Sequence, residues 1–407
     1  MNCQLSPDSL LGGNALYRLL YEGAGTALPC WLSYLVAGGI IMAILANGVL
    51  VGSAAITWAE RRLLGRFQNR LGPNRWGPFG LLQPIADIAK LITKEDLTPA
   101  GADRVLFTVA PVLMLLSLIL MTAVIPFAAH TALVNLNVGV LYFLAVGSMT
   151  TVAIFMAGWA SDNRYAMFGA ARAVAMLISY EVPVVLSLLG VVMIAGSMSL
   201  FDVVTAQRVP FLLVQPLAFL VFLAGMSAEL NRSPFDVSEA ESEIIAGYHT
   251  EYSGIKFALI QAAEFGGAVV VSTLIATLFF AGWSGPLAGY LGWLWFLLKT
   301  GVAVFLFIWI RATYPRLRID QIMAFSWKFL LPLSLINLVA VTLEVFFLKD
   351  ANNVLSVADL WTMAGINTLV AVAAIGIFGQ LIKDKVTVTQ VRSTVGVVPG
   401  VSTVEVR

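Results

Sequence analysis

Cysteine and histidine are nearly absent: two of each in 407 residues, at Cys3, Cys30, His130 and His249. So small a set excludes an iron–sulfur cluster, a pair of haems or a zinc site, because each needs several thiolates or imidazoles converging on one point. Any electron-carrying cofactor must belong to a partner chain. Two cysteines near the N-terminus say almost nothing about redox compartment, and incidental packing accounts for them. Charge is scarce as well, since Asp, Glu, Lys and Arg make up 12% of the chain against 59% hydrophobic residues, with a mean hydropathy of +0.89. That composition excludes a soluble globular chain and makes a bilayer the solvent. A formal net charge of +1 excludes a general basic grip on nucleic acid.

What is abundant is apolar sequence in long runs. A spanning helix needs about twenty mostly apolar residues, and such runs occur near 31–57, 105–128, 137–160, 169–196, 211–228, 256–282, 290–311, 326–348 and 358–382. They predict an all-α integral membrane protein of nine transmembrane helices, because hydrocarbon cannot satisfy open backbone groups and the runs do not alternate as barrel strands do. The first twenty-eight residues lack the basic start and apolar stretch of a cleavable signal, so the first hydrophobic helix is expected to be retained. Residues 386–407 alternate Val with Thr or Ser and read as a small strand or a disordered tail.

The charges fall in loops, and unevenly. Arg61, Arg62, Arg66, Arg70, Arg75, Lys90, Lys94 and Arg104 follow the first run, and Arg311, Arg316, Arg318 and Lys328 follow the seventh. Opposite loops hold Arg208 and Lys349. Loops rich in lysine and arginine stay cytoplasmic, so the expected topology has the N-terminus outside and the tail with Lys383 and Lys385 inside. Within the first cytoplasmic loop, Leu81, Ile85, Ile88 and Ile92 recur at spacings of three and four. This predicts an amphipathic helix, whose apolar face either lies in the headgroup layer or packs on the protein.

Ionisable residues at membrane depth carry the functional signal, because each costs about 2.5–3.5 kcal/mol at a helix centre. Glu181, Glu264 and Lys299 fall inside predicted helices. A structural ion pair or a snorkelling side chain explains any one of them, whereas several in one bundle favour an ion or proton route. Between the fifth and sixth helices, Glu229, Asp236, Glu239, Glu241, Glu243 and Glu251 set six carboxylates against Arg232. A solvated acidic loop is one reading. Phe235, Ile244, Ile245 and Tyr248 interleave the acids and favour another, in which desolvation and mutual repulsion raise carboxyl pKa values so that some carry exchangeable protons. Negative charge arriving on a guest in a nearby apolar cavity would raise them further.

The stretch from Trp58 to Asn74, reading WAERRLLGRFQNRLGPN, resembles the first cytoplasmic loop of the H subunit of bacterial NADH:quinone oxidoreductases, the counterpart of the first subunit of mitochondrial complex I. Gly80 to Glu95, Ser179 to Val182, Glu229 to Tyr252 and Arg311 to Pro332 resemble it too. The resemblance implies a non-redox subunit of a multisubunit, proton-translocating respiratory enzyme, inactive alone, at the junction of a soluble quinone-reducing arm and antiporter-like membrane subunits. Its substrate would be ubiquinone or menaquinone, with no metal or flavin in this chain. It implies a bacterial cytoplasmic-membrane location, a family core of eight helices over 31–348, an extra helix over 349–383, a non-cytoplasmic segment 1–30 and a cytoplasmic tail 384–407. By the same resemblance, Glu60, Arg61, Gln68, Arg70, Asp87, Phe235 and Asp236 line or brace a quinone chamber. Glu181, Glu229, Asp236, Glu239, Glu241, Glu243, Glu251 and Glu264 match its acidic chain, and Arg311, Arg316 and Arg318 its basic junction loop.

Two positions depart from the family pattern. Phe265 stands where tyrosine is common, and Arg164 where lysine is common, which keeps the charge but not its geometry. The rivals are the membrane anchor of a related hydrogenase, a stand-alone secondary transporter and a structural scaffold. The glutamine- and arginine-rich loop after the first helix favours the quinone-reducing branch over the first. A transporter usually shows two related halves with broken helices at matching places, and no such pairing is visible. A scaffold leaves the intramembrane glutamates without explanation.

Overall fold

The computed structural model describes residues 21, 29–128, 134–236, 246–348 and 355–391, the last eleven by backbone alone, and among these the regular elements are all helical. The helices are α1 (Cys30–Phe67), α2 (Gln83–Thr93), α3 (Arg104–Thr122), α4 (Gly139–Ala160), α5 (Arg164–Ala195), α6 (Leu200–Ala206), α7 (Phe211–Val214), α8 (Pro216–Glu229), α9 (Gly254–Leu278), α10 (Ala288–Thr313), α11 (Ile319–Phe325), α12 (Leu331–Leu348) and α13 (Val357–Val391). A π-helical turn, Ser326–Leu330, joins α11 to α12 into one span.

Eight of these rods are long and apolar enough to cross a membrane, where nine were expected. The difference lies at 211–228. Pro216 has no N–H to donate, and Gln215 takes φ −132° and ψ 66°, so the run breaks into a four-residue and a fourteen-residue helix. The fourteen-residue piece is sheathed by protein, with Leu217, Ala218, Val221, Phe222 and Met226 all buried. Non-helical backbone at membrane depth is tolerated where it is covered in this way.

Two further boundaries shift. Hydropathy ends the first span at 57, yet α1 runs to Phe67, because Glu60, Arg61, Arg62, Leu63, Leu64 and Arg66 are strong helix formers that prolong the rod beyond the hydrocarbon. At the other end, α13 continues to Val391, so the first residues of the expected strand or disordered tail are helical. Residues 392–407 and the N-terminal segment through Leu28, apart from Tyr21, lie outside the described residues.

Helix ends follow local chemistry. Asp103 Oδ1 accepts from the N–H groups of Val105 and Leu106, opening α3, and Asn163 Oδ1 accepts from Tyr165 N–H at 2.9 Å, opening α5. Gly196, at φ 71°, closes α5 in the left-handed region. Close helix approach depends on small residues: a Cβ on Gly158 would stand 2.3 Å from Ala170 Cβ, and one on Gly225 would stand 2.2 Å from Val184 Cγ2.

Hydrogen bonds tie the bundle at both ends. At the end carrying the arginine-rich loops, Asp103 N–H reaches Ala160 O, Leu97 N–H reaches Ser253 Oγ and Leu317 N–H reaches Pro234 O. At the other end, Val140 N–H reaches Met198 O and Leu212 N–H reaches Phe279 O, while Gln207 donates to Thr277 O and accepts from Ala281 N–H, both at 2.8 Å.

Lys299, deep in α10, belongs to this second set. Its Nζ donates to the carbonyls of Ala281, Gly282 and Ser284 at 3.4, 2.9 and 2.7 Å, holding the turn after α9. The ammonium thus has a structural task. Lys299→Met is expected to destabilise the protein by about 2 kcal/mol, since a net hydrogen bond contributes about 1 kcal/mol and one to a charged group more. Thermal denaturation of the detergent-solubilised protein measures this; an unchanged midpoint would mean that the turn holds itself.

Candidate functional site

The site grows from one buried carboxylate. Glu60, 4% exposed on the extended end of α1, receives hydrogen bonds from Arg232, in the loop after α8, and from Arg311, on the last turn of α10. One anion thereby clamps three segments that are far apart in sequence. The Arg232 guanidinium also lies 4.6 Å from the centre of the Phe265 ring on α9. A tyrosine there would add a hydroxyl; this phenylalanine presents a π face, which suits a partly desolvated cation.

Other predicted residues pair nearby. Arg61 donates to Asp87 at 2.5 Å, joining α1 to α2, and Lys90 stands 4.0 Å from the same carboxylate. Arg70 Nε donates to Gln68 Oε1 at 2.7 Å. Arg316 Nη2 donates to Asp236 Oδ2 at 2.8 Å. Phe235 is buried, meeting the Tyr180 ring edge-on and stacking with Phe325. Arg318 uses its backbone N–H, bonded to Gln321 Oε1 at 3.2 Å, to open α11.

Two cavities flank α9. The first, about 400 Å³, lies between α1, α2 and α9; apolar groups from Leu50 and Ala54 to Ala258, Ala262 and Phe265 line it, with Arg61 and Asp87 at one end. The second, about 80 Å³, lies inside the bundle and is lined by Met114, Met121, Leu177, Glu229, Tyr248 and Glu264 among others. It has room for roughly five waters at about 15 Å³ each. Tyr248 donates to Glu264 Oε1 at 2.5 Å. Gln261, which lines the first cavity, donates to Glu264 Oε2 at 3.3 Å. Positions 262 and 265 of α9 face the apolar cavity and 263, 264 and 267 the acidic one, so a single helix is the wall between them.

Not every predicted carboxylate joins this cavity. Glu251 accepts from Asn163 Nδ2 at 2.6 Å and lines a separate surface hollow with Asp162 and Arg164. The neighbouring Tyr252 ring stacks on Phe107 with centres 4.0 Å apart, and burial pushes its phenol up, which keeps it protonated. Glu181 lies midway along α5 and does not line the acidic cavity. Glu239, Glu241 and Glu243 lie outside the described residues. Glu60 and Gln68 line neither of the two cavities beside α9.

Arg62, Arg66 and Arg70 line a third, exposed hollow of about 610 Å³ with Asn69, Asn74 and Phe79. On α2 the predicted apolar stripe is there: Leu81, Ile85, Ile88 and Ile92 are 45–61% exposed, and Ile88 and Ile92 also line the apolar cavity.

Sequence reading missed Tyr248 and Gln261 as partners of Glu264. Their signal was positional: Gln261 precedes Glu264 by three residues on one helix, but Tyr248 reaches it only because the turn Gly247–His249 folds back. Glu344 was missed too, although it met the criterion used for Glu181. Among the described residues no cluster of His, Cys, Asp and Glu could hold a metal ion.

The profile of a family described as NADH dehydrogenase matches residues 40–342. A relative from Dehalococcoides mccartyi strain CBDB1, named as the H subunit of a NADH-quinone oxidoreductase, is 51% identical over 344 residues, covering 84% of this chain and 95% of the relative. Its namesake in Geobacillus kaustophilus is 48% identical over 306 residues, 74% of this chain and 89% of the relative. A Geobacter sulfurreducens relative, named as a second H subunit of a NADH-quinone oxidoreductase, is 48% identical over 310 residues, 74% of this chain and 94% of the relative.

The two arms of the Glu60 clamp differ in burial: the Arg232 side chain is 11% exposed and that of Arg311 is 31%. Arg232→Leu is therefore expected to destabilise the fold by about 3–5 kcal/mol, the cost of stranding part of a buried ion pair. Arg311→Leu should cost about 1 kcal/mol, because water can replace the outer partner. Denaturation midpoints of the two variants test the order, and equal shifts would refute it.

Proposed function

The chain belongs to the NADH dehydrogenase family, and from that premise we propose that it is the membrane subunit that builds the quinone-access chamber and the first section of the proton path in a NADH:quinone oxidoreductase. The observation that carries the reading is the shared wall of α9: an apolar cavity on one side, an acidic one on the other, and Gln261 reaching from the first to Glu264.

In this reading a quinone enters between α1, α2 and α9, where an apolar lining suits an isoprenoid tail and the Arg61–Asp87 pair marks the polar end. Exposed Leu81, Ile85, Ile88 and Ile92 let α2 lie in the headgroup layer beside the entrance. Electrons come from a soluble-arm partner, since the two cysteines and two histidines of this chain are too few to carry a redox centre. Quinone reduction takes up protons together with electrons, and negative charge on the headgroup raises the proton affinity of carboxylates across a thin low-dielectric wall. Glu264 is the first such group, Glu229 shares its cavity, and Tyr248 is the hydroxyl able to pass a proton between the carboxylate and water. Onward transfer goes to antiporter-like membrane partners.

The positive-inside rule places the arginine-rich loops in the cytoplasm, the N-terminus outside and the tail inside. With the broken run 211–229 counted as one crossing, residues 31–348 cross eight times and form the chamber, and 349–383 add a ninth crossing, in a bacterial cytoplasmic membrane. Arg62, Arg66 and Arg70 face the soluble arm.

Two substitutions separate the two cavities. Glu264→Gln keeps the shape of the site but cannot release a proton, and is expected to lower proton translocation coupled to quinone reduction by roughly tenfold or more; full coupled turnover in proteoliposomes would remove Glu264 from the path. Ala262→Trp fills the apolar cavity and should raise KM for a long-tailed quinone while leaving that of a short-chain analogue nearly unchanged. A similar KM for both with the long-tailed quinone unaffected would show that substrate enters elsewhere.

A further inference from the structure

Four polar side chains play no part in the reading above: Gln215, Asn337, Glu344 and Asn367, which are 0%, 1%, 7% and 1% exposed. Asn367 Nδ2 on α13 donates to Glu344 Oε2 on α12 at 2.8 Å. Among the described residues Gln215 Oε1 and Nε2, Asn337 Nδ2, Glu344 Oε1 and Asn367 Oδ1 are buried and have no partner. They belong together. A Cβ on Gly190 of α5 would stand 3.2 Å from Asn337 Nδ2 and 3.3 Å from Gln215 Nε2, so both amides meet the same point of α5. Asn337 and Glu344 are two turns apart on one face of α12, which buried Ser334 and Val341 share.

A bundle does not keep five buried polar atoms unsatisfied, since each would cost about 1–3 kcal/mol. Water is what usually completes such groups, at two to four hydrogen bonds each, and an open hollow lies nearby. On the face opposite the arginine-rich loops lies a hollow of about 420 Å³, lined by Ile194 and Ala195 of α5, Asp202 and Thr205 of α6, Arg208, and Leu355 and Leu360 beside α13. Gly190 is one turn beneath Ile194, and Asn367 is two turns, about 10 Å, beneath Leu360. The amides therefore lie under the floor of an outward-opening hollow.

We propose that Gln215, Asn337 and Asn367 line a hydrated inlet that descends from this hollow and lets Glu344 exchange a proton with the aqueous phase on that face. Helix α13 supplies one wall, and Glu344 and Asn367 both lie beyond the residues 40–342 that the family profile matches. The site is thus separate from the Glu264 cavity. On the elements packed against α12, the other titratable or charged groups are Arg164, Tyr165, Arg172, Tyr180 and Glu181 on α5, Glu229 on α8, Lys328 in the π turn, and Asp359, Lys383, Asp384 and Lys385 on α13. All but Asp359 lie at the midpoint of their helix or nearer the arginine-rich end, and Asp359 is engaged by Ser356 at the start of α13.

The wild-type complex tests the water. Met363, 0% exposed and between Leu360 and Asn367 on the same face of α13, should be oxidised by hydroxyl radicals generated from internal water, whereas Met176, 2% exposed in the core, should not. Equal protection of both overturns the proposal. In a background with Cys3 and Cys30 replaced by Ser, Asn367→Cys should react with a membrane-impermeant methanethiosulfonate from the face opposite the arginine-rich loops, roughly tenfold or more faster than Leu333→Cys on α12. Equally slow reaction, or reaction from the arginine-rich face, also overturns it. For the proton, the infrared carboxyl band abolished by Glu344→Gln should shift on transfer to D2O, and a band that never exchanges removes Glu344 from the inlet.

Discussion

The arrangement depends on the carboxylate of Glu60. Buried ion pairs contribute little net stability when complete and cost much when broken, because a stranded charge keeps its desolvation penalty. Glu60 is held on both oxygens, by Arg232 and Arg311. That bond set fixes the end of α1, the loop after α8 and the end of α10 against one another. Arg232 then turns its other face to Phe265, so the ionic clamp also sets where α9 stands. Everything on either side of α9 inherits its position from this contact.

With α9 placed, its sequence does the rest. Ala262, Ala263, Gly266 and Gly267 make the wall thin and let neighbours approach: a Cβ on Gly266 would stand 2.5 Å from Leu118. Consecutive residues face different cavities because a helix turns about 100° per residue. A charge on one side of so thin a wall is poorly screened on the other, since the packed helix between the cavities leaves no water in the wall itself. A hydrogen bond that crosses the wall, Gln261 to Glu264, adds a direct contact to this through-space effect.

Much of the fold was legible because hydropathy is a sum over a long window and tolerates local error. The same averaging hid what mattered locally. Pro216 cuts the 211–228 run while its mean hydropathy stays high, and the Glu60 helix end is polar enough to look like a loop although its residues are good helix formers. Candidate acids were legible singly, because a carboxylate amid apolar residues stands out. Their partners were not: Glu60 meets Arg232 and Arg311 across 172 and 251 residues, a separation no spacing rule spans. Neutral Gln215, Asn337 and Asn367 carry no charge to single them out, and only packing reveals that the amides of Gln215 and Asn337 converge and that Asn367 meets Glu344.

The partners of an intramembrane charge indicate what it can do. Lys299 satisfies three carbonyls and Glu60 two guanidinium groups, so replacing either would break several strong contacts at once. Both serve the architecture of the bundle. Among its contacts Glu264 accepts from a phenol and an amide, and Glu344 accepts from an amide. Neutral partners accept either protonation state, because a hydroxyl can rotate and an amide offers both donor and acceptor. Among the described residues the clamp and the turn that brace the bundle are therefore held by Glu60 and Lys299, while Glu229 and Glu264 sit beside a cavity. Depth does not make this division, since Lys299 and Glu264 are both well inside their helices.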